Sequence, residues 1–257
     1  MGERTQYPPG TFSWTDLATT DVAAAQRFYS DLFGWEWNDL PLPGGGAYSM
    51  ARLRGHDVAA VAEQQEAQRE QGVPPNWTSY VTVDDLDARA ARAPELGGTL
   101  LAEPFDVMDV GRMAVIADPA GAVLALWDPR SHIGAGLVNE VGTMTINELR
   151  TTDVAGAQAF YGELLGWTFE DLGPYTSIRN GDTLNGGILE LQPEWGPIPP
   201  HWVPYFVVED VDAAVRAVGE AGGSTIVEPN EVPAGRFATV ADPTGAVFSV
   251  FAGETDD

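Results

Sequence analysis

The sequence predicts an α+β protein built from two similar β-rich halves in tandem, and three observations predict it. Asp21–Trp35, DVAAAQRFYSDLFGW, returns 132 residues later as Asp153–Trp167, DVAGAQAFYGELLGW. The turn residues return in step with it: Gly97-Gly98 with Gly222-Gly223, Pro104 with Pro229, Gly111-Arg112 with Gly235-Arg236, and Asp118–Gly121 with Asp242–Gly245. A repeat this long, with its punctuation in register, marks duplicated domains. Third, each unit reads as a strand, a helix and then three strands. Three consecutive strands need hairpins, and no G-x-G-x-x-G follows the first strand, so a parallel Rossmann sheet is disfavoured.

Taken in order, residues 1–10 read as an arm. Phe12, Trp14 and Asp16 then alternate with Ser13, Thr15 and Leu17 in the period of a strand. Asp21 is expected to cap a helix over 22–33, accepting from first-turn amides that otherwise lack partners. Gly34 is its expected left-handed stop. Pro41–Gly46 reads as a turn, and Tyr48–Arg54 with His56–Ala62 as a strand pair. Residues 63–75 are a polar linker with a short helix that ends before Pro74. Thr78–Val83 is the next strand, 85–96 a helix whose last turn Pro94 is expected to break, and Gly97-Gly98 its stop. Leu100–Phe105, Met113–Ala117 and Val123–Trp127 complete the half. Pro129–Gly142 joins it to the second, where Met144–Leu149 and helices over 154–165 and 211–221 repeat the pattern.

Composition removes several chemistries. The 38 acids outweigh 13 bases, every base is Arg, and the net charge is −25. Such a chain repels phosphate backbones and anionic membrane surfaces, so neither nucleic acid nor membrane is an expected partner. Without Lys there is no Schiff base and no phosphate-binding P-loop. Without Cys there is no disulfide, thiolate nucleophile or Cys-bound zinc. The polar, Pro-rich start lacks the apolar core of a secretory signal, no apolar run approaches a membrane span, and the absence of Cys suits a reducing cytoplasm. Asp84-Asp85-Leu86-Asp87 and Glu209-Asp210-Val211-Asp212 lack the glycine and twelfth-position Glu of a calcium loop and read as helix caps. Arg112 and Arg236, each after a glycine, read as exposed structural residues; the alternatives are a salt bridge to the acids or contact with an anionic ligand.

The strand followed by D-x₆-FY-x₄-GW, the V-D-D-L-D-A junction at 83–88 and the D-P-x-G strand at 118–127 resemble the vicinal oxygen chelate superfamily, which includes glyoxalases, bleomycin-resistance proteins and extradiol dioxygenases. The resemblance covers about residues 11–130 and 143–252, which become the two expected domains. It implies that each domain pairs two βαβββ modules so that a curved, eight-stranded mixed sheet surrounds a cup. Two-module members often dimerise, so the internal duplication implies a monomer whose domains pack as a pseudo-dimer. Working members hold a divalent ion in the cup. Carried over, the three ligand positions fall on Trp14, Thr78 and Ala125 in the first half, and on Ile146, Val203 and Ser249 in the second. A one-residue slip would substitute Trp77 and Trp202. None of these residues has the usual ligand chemistry, so no metal or other cofactor is expected.

Two carboxylates stand out instead. Asp16 and Glu148 occupy equivalent places, two residues beyond the first lost ligand and on the same strand face. If that face lines the cup, desolvation raises their pKa and makes each a candidate general base or ligand anchor. Alternation adds Trp14, Tyr48, Thr78, Tyr80 and Trp127 to the first cup. It adds Ile146, Tyr175, Tyr205, Ser249 and Phe251 to the second. The result is an aromatic-walled cavity suited to a flat or hydrophobic molecule. The leading expectation is a metal-free small-molecule binding protein. The alternatives are a glyoxalase- or dioxygenase-type enzyme whose metal is held by residues such as Asp16 or Glu148 with His201, or a metal-independent enzyme using Asp16 or Glu148 as base.

Overall fold

A computed structural model describes residues 2–42 and 45–255. The first half runs β1 (Phe12–Thr19), α1 (Val22–Phe33), β2 (Glu36–Pro41), β3 (Ala47–Leu53), β4 (His56–Glu63), α2 (Glu66–Glu70), β5 (Asn76–Thr82), α3 (Leu86–Glu95), β6 (Thr99–Val107), β7 (Gly111–Ala117) and β8 (Val123–Pro129). The second repeats it as β9 (Met144–Thr151), α4 (Val154–Leu165), β10 (Thr168–Asp171), β11 (Tyr175–Asn180), β12 (Thr183–Glu190), β13 (His201–Val207), α5 (Val211–Glu220), β14 (Ser224–Val232), β15 (Gly235–Ala241) and β16 (Val247–Gly253). Residues 43 and 44 of the turn expected at Pro41–Gly46 lie outside the described residues.

The helix ends follow the sequence signals. Asp21 and Asp153 accept from the amides of Ala24 and Gly156, and Gly34 and Gly166 close their helices in the left-handed region. Asp85 and Asp210 cap α3 and α5 in the same way, which is the use the two acidic runs were expected to have. Pro94 sits inside α3 one residue from its end, so the helix continues past it rather than breaking.

Each half forms one eight-stranded mixed sheet, in the orders β2-β3-β4-β1-β5-β8-β7-β6 and β10-β11-β12-β9-β13-β16-β15-β14. The two modules of a half therefore meet side by side, antiparallel, at β1–β5 and at β9–β13. The central strands of the two sheets meet back to back, with Ser79 Oγ donating to Asn147 Oδ1 at 2.6 Å. Helix α1 packs on α5 and α3 on α4, so each half lays its helices against the other.

The repeated sequence motifs are the fastening between the halves. Tyr29, completely buried, donates to Asp242 Oδ2 in the second half and accepts from Trp77 Nε1. Its counterpart Tyr161 donates to Asp118 Oδ2 in the first half and accepts from Trp202 Nε1. The other carboxylate oxygen of each Asp collects amides of its own D-P-x-G turn. The Trp after each helix also reaches across the chain, Trp35 Nε1 to the carbonyl of Gly142 and Trp167 Nε1 to that of Gly10. Each clasp leaves its buried polar atoms paired inside an aromatic cluster.

Candidate functional site

Strand alternation brings the expected residues of the first cup together. Register pairs Trp14 with Tyr80 and Asp16 with Thr78 across β1 and β5, then Tyr80 with Ala125 and Thr82 with Trp127 across β5 and β8. On the other side Asp16 adjoins Ala60, which pairs with Met50, and Tyr48 pairs with Ala62. Trp14, Asp16, Tyr48, Thr78, Tyr80 and Trp127 therefore share the concave face.

Asp16 is the polar centre of this face. Tyr48 and Tyr80 both donate to the same oxygen, Oδ2, at 2.9 and 2.8 Å. Oδ1 has no hydrogen-bond partner among the described residues and is not sealed from the cup. Burial pushes the carboxyl up to about 6, against the opposing effect of the bonds from Tyr80 and Tyr48. The same burial, reinforced by the neighbouring Asp16, raises both tyrosines well above their ordinary value, so they remain donors. Trp14 Nε1 donates to Tyr48 Oη at 2.9 Å, which fixes the phenol.

His132, from the connection between the halves, closes one side. Its ring stands edge-on to Trp14 with centroids 4.6 Å apart, and its carbonyl accepts from Trp127 Nε1. Burial lowers its pKa, so the imidazole is neutral, and its buried Nε2 has no partner among the described residues. Gly111 has a steric role here, because a Cβ there would stand 2.3 Å from the Trp127 indole. Arg112 beside it pairs with Asp87, and Arg236 with Asp212 and Glu231, so the salt-bridge alternative is the one the structure shows.

The second cup has the same frame and a different lining. Ile146 and Glu148 lie on β9, Tyr175 on β11, Tyr205 on β13, and Ser249 with Phe251 on β16. Here Glu148 has both oxygens engaged: Oε1 by Arg150 Nε at 2.9 Å and Oε2 by the Tyr205 hydroxyl at 2.9 Å. Arg150 continues to Thr239 Oγ1 at 2.7 Å, and Thr239 bonds Ser249 at 3.0 Å. Tyr175 is equivalent to Tyr48 but lies over Gly187, where a Cβ would stand 1.8 Å from its hydroxyl. The first half has Ala60 in that place, and Tyr48 points at Asp16 instead.

The residues do not fit a divalent ion. Among the described residues no three His, Asp or Glu side chains converge. His201 was the one His considered beside a carboxylate. It sits opposite Arg150 on the neighbouring strand, with Nδ1 bonded to the Pro199 carbonyl, so a guanidinium occupies the place a cation would need. The slipped candidates Trp77 and Trp202 belong to the interdomain clasps rather than to a cup.

Four further residues complete these sites: His132, Arg150, Phe237 and Thr239. Comparing the halves position by position exposes two of them in the sequence, since Ala18 and Val115 of the first half become Arg150 and Thr239 in the second. His132 lies in a connection with no repeat counterpart, so the sequence alone carried no signal for it.

A curved mixed sheet of paired βαβββ modules, closed around a small polar centre with aromatic walls, defines a small-molecule-binding fold. The chain belongs to the Glyoxalase/Bleomycin resistance protein/Dioxygenase superfamily, whose model matches residues 140–250, while a glyoxalase-like domain model matches residues 14–127. It is 45% identical over 97% of both chains to a Mycobacterium tuberculosis protein named "Putative glyoxylase CFP32". It is 40% identical to the anthracycline biosynthesis protein DnrV of Streptomyces peucetius, over 96% of this chain and 94% of that one. The fold is similar to the Mn(II)-bound glyoxalase of Novosphingobium aromaticivorans, with TM-score 0.67 and 17% identity over 100% of this chain and 85% of that one. It is also similar to the 2,3-dioxygenase LapB of Pseudomonas sp. KL28, with TM-score 0.65 and 16% identity over 96% and 93%.

Proposed function

We propose that this chain is an enzyme whose first cup binds a small aromatic carbonyl or phenolic molecule and moves a proton on it without a metal, with Asp16 as the base. The observation that carries the reading is the asymmetric use of the Asp16 carboxylate. Two tyrosines hold Oδ2, and Oδ1 has no protein partner among the described residues. A base must be fixed in place and still have a lone pair to offer. A pKa near 6 also leaves the carboxylate ionised at neutral pH while keeping it far more basic than an exposed Asp.

The chain's own groups supply each role. Oδ1 of Asp16 takes a proton from a C–H next to a carbonyl, or from a phenol, and returns it to another atom of the same molecule. Tyr48 and Tyr80 hold the carboxylate in one orientation through both halves of the cycle. Trp14, Tyr80 and Trp127 supply apolar walls for a flat ligand. Glu148 is not assigned this role, because both of its oxygens are already bonded. The names of the relatives, a glyoxylase and a protein of anthracycline biosynthesis, support catalysis on an aromatic or carbonyl compound over binding alone.

The test is deuterium exchange at the α-carbon of 2-hydroxyacetophenone in D₂O, followed by proton NMR. The wild-type chain should accelerate exchange, with a rate that rises through pH 6. Asp16→Asn should lower that rate by roughly 100-fold or more, the usual range for a positioned base. Wild-type exchange no faster than buffer, or an Asp16→Asn rate equal to wild type, would remove the proposal.

A further inference from the structure

We infer that the second cup is a separate binding site for a small molecule carrying an anionic oxygen, a carboxylate or enolate, with Arg150 as the group that recognises it. The inference does not rest on the role given to Asp16, since that residue belongs to the other cup. Three apolar-to-polar replacements help distinguish the lining of this cup from that of the first. Ala18, Val115 and Ala125 become Arg150, Thr239 and Ser249, while Asp16 becomes Glu148. The new residues do not scatter. They form one connected chain of hydrogen bonds, Glu148–Arg150–Thr239–Ser249, with Tyr205 joined to Glu148.

The guanidinium reaches from β9 to β15, past the two intervening strands β13 and β16, so it lies within the cup rather than beside it. It has five N–H donors. Among the described residues, Glu148 takes the Nε–H and Thr239 one N–H of Nη2, and the remaining N–H groups are those assigned to a ligand. The Arg150 side chain keeps 9% of its surface accessible. Glu148 and Arg150 cancel, so this cup is neutral and can accept an anion. The first cup, with an ionised Asp16 and no cation on its wall, would repel one. A buried ion pair is commonly no better for stability than well-packed apolar residues of similar volume, so stability alone explains its presence poorly. Ile146, Val203, Phe237 and Phe251 supply the apolar wall around the charged floor.

The probes are 2-naphthoate and its uncharged isostere 2-naphthamide, titrated into the full chain by calorimetry. The acid should bind at one site per chain, at least tenfold more tightly than the amide. Binding should also shift the Arg150 Nε–H resonance, which a merely structural pair would not show. Glu148→Gln with Arg150→Met removes both charges together and should weaken 2-naphthoate at least tenfold, whereas Asp16→Asn should leave it within twofold. Should the double variant fail to fold, Thr239→Val frees the guanidinium from its anchor without stranding a charge and should weaken binding at least threefold. Equal affinity for acid and amide, no binding of the acid to folded protein, or affinity unchanged in the folded variant would each overturn the inference.

Discussion

Asp16 shows how much of a site rests on one carboxyl group. Its native pKa is raised to about 6 by burial, above the usual Asp value of about 3.9 in an unfolded chain. Between those values the folded chain holds the proton and the unfolded chain does not. Stability therefore falls as pH rises through about 4 to 6, and the loss is constant above that window. Two pH units correspond to about 3 kcal/mol. Asp16→Asn keeps an oxygen to accept from Tyr48 and Tyr80 and removes the charge. It should be up to about 3 kcal/mol more stable than wild type at pH 8 and no different near pH 4, as urea denaturation at the two pH values will show. Equal stability of the two proteins at pH 8 would mean that the carboxylate is solvated and unsuited to the role proposed for it. A position where a neutral residue is more stable than the native one is typical of functional sites.

At the scale of elements, the motifs that identify the family are mostly fastening, and the sites lie elsewhere on the same strands. Tyr29 on α1 is wedged between Trp77 and Asp242 of the opposite half. Tyr29→Phe would leave the Trp77 indole N–H and the Asp242 Oδ2 buried without a partner. Each such loss costs about 1–3 kcal/mol, so the variant should lose roughly 2–6 kcal/mol in chemical denaturation. Tyr161→Phe should match it, and the double variant should be close to additive because the clasps are separate. The elements themselves were readable with little error. Asp21, Gly34 and the apolar spacing between them specify α1, and period-two alternation specifies β1 together with the face that Asp16 shares with Trp14. The partners of those residues were not readable. That Tyr48 turns to Asp16 while Tyr175 lies flat depends on Ala60 against Gly187, each on the neighbouring strand and invisible to local pattern. Likewise α3 carries Pro94 without ending, because packing against β6, β7 and β8 outweighs a local preference one residue from the helix end.

For the whole molecule, the crossed clasps make the halves mutually dependent. Each helix-bearing face is covered by the other half, with Phe28, Tyr29 and Phe33 of α1 packed on Phe206 and Phe248. The chain should therefore unfold in a single transition seen alike by fluorescence and far-UV circular dichroism, and light scattering should give the mass of one chain. Two separated transitions, or a stable dimer, would show that the two halves are less dependent on each other than this packing implies. Among the described residues no helix is long and apolar enough to cross a membrane. The aromatic linings differ in one last respect. Trp14 and Trp127 stand in the wall of the first cup, whereas the named wall of the second holds Tyr and Phe but no Trp. A ligand entering the first cup should therefore touch two of the chain's eight indoles and change their emission, whereas one entering the second meets none in its named wall.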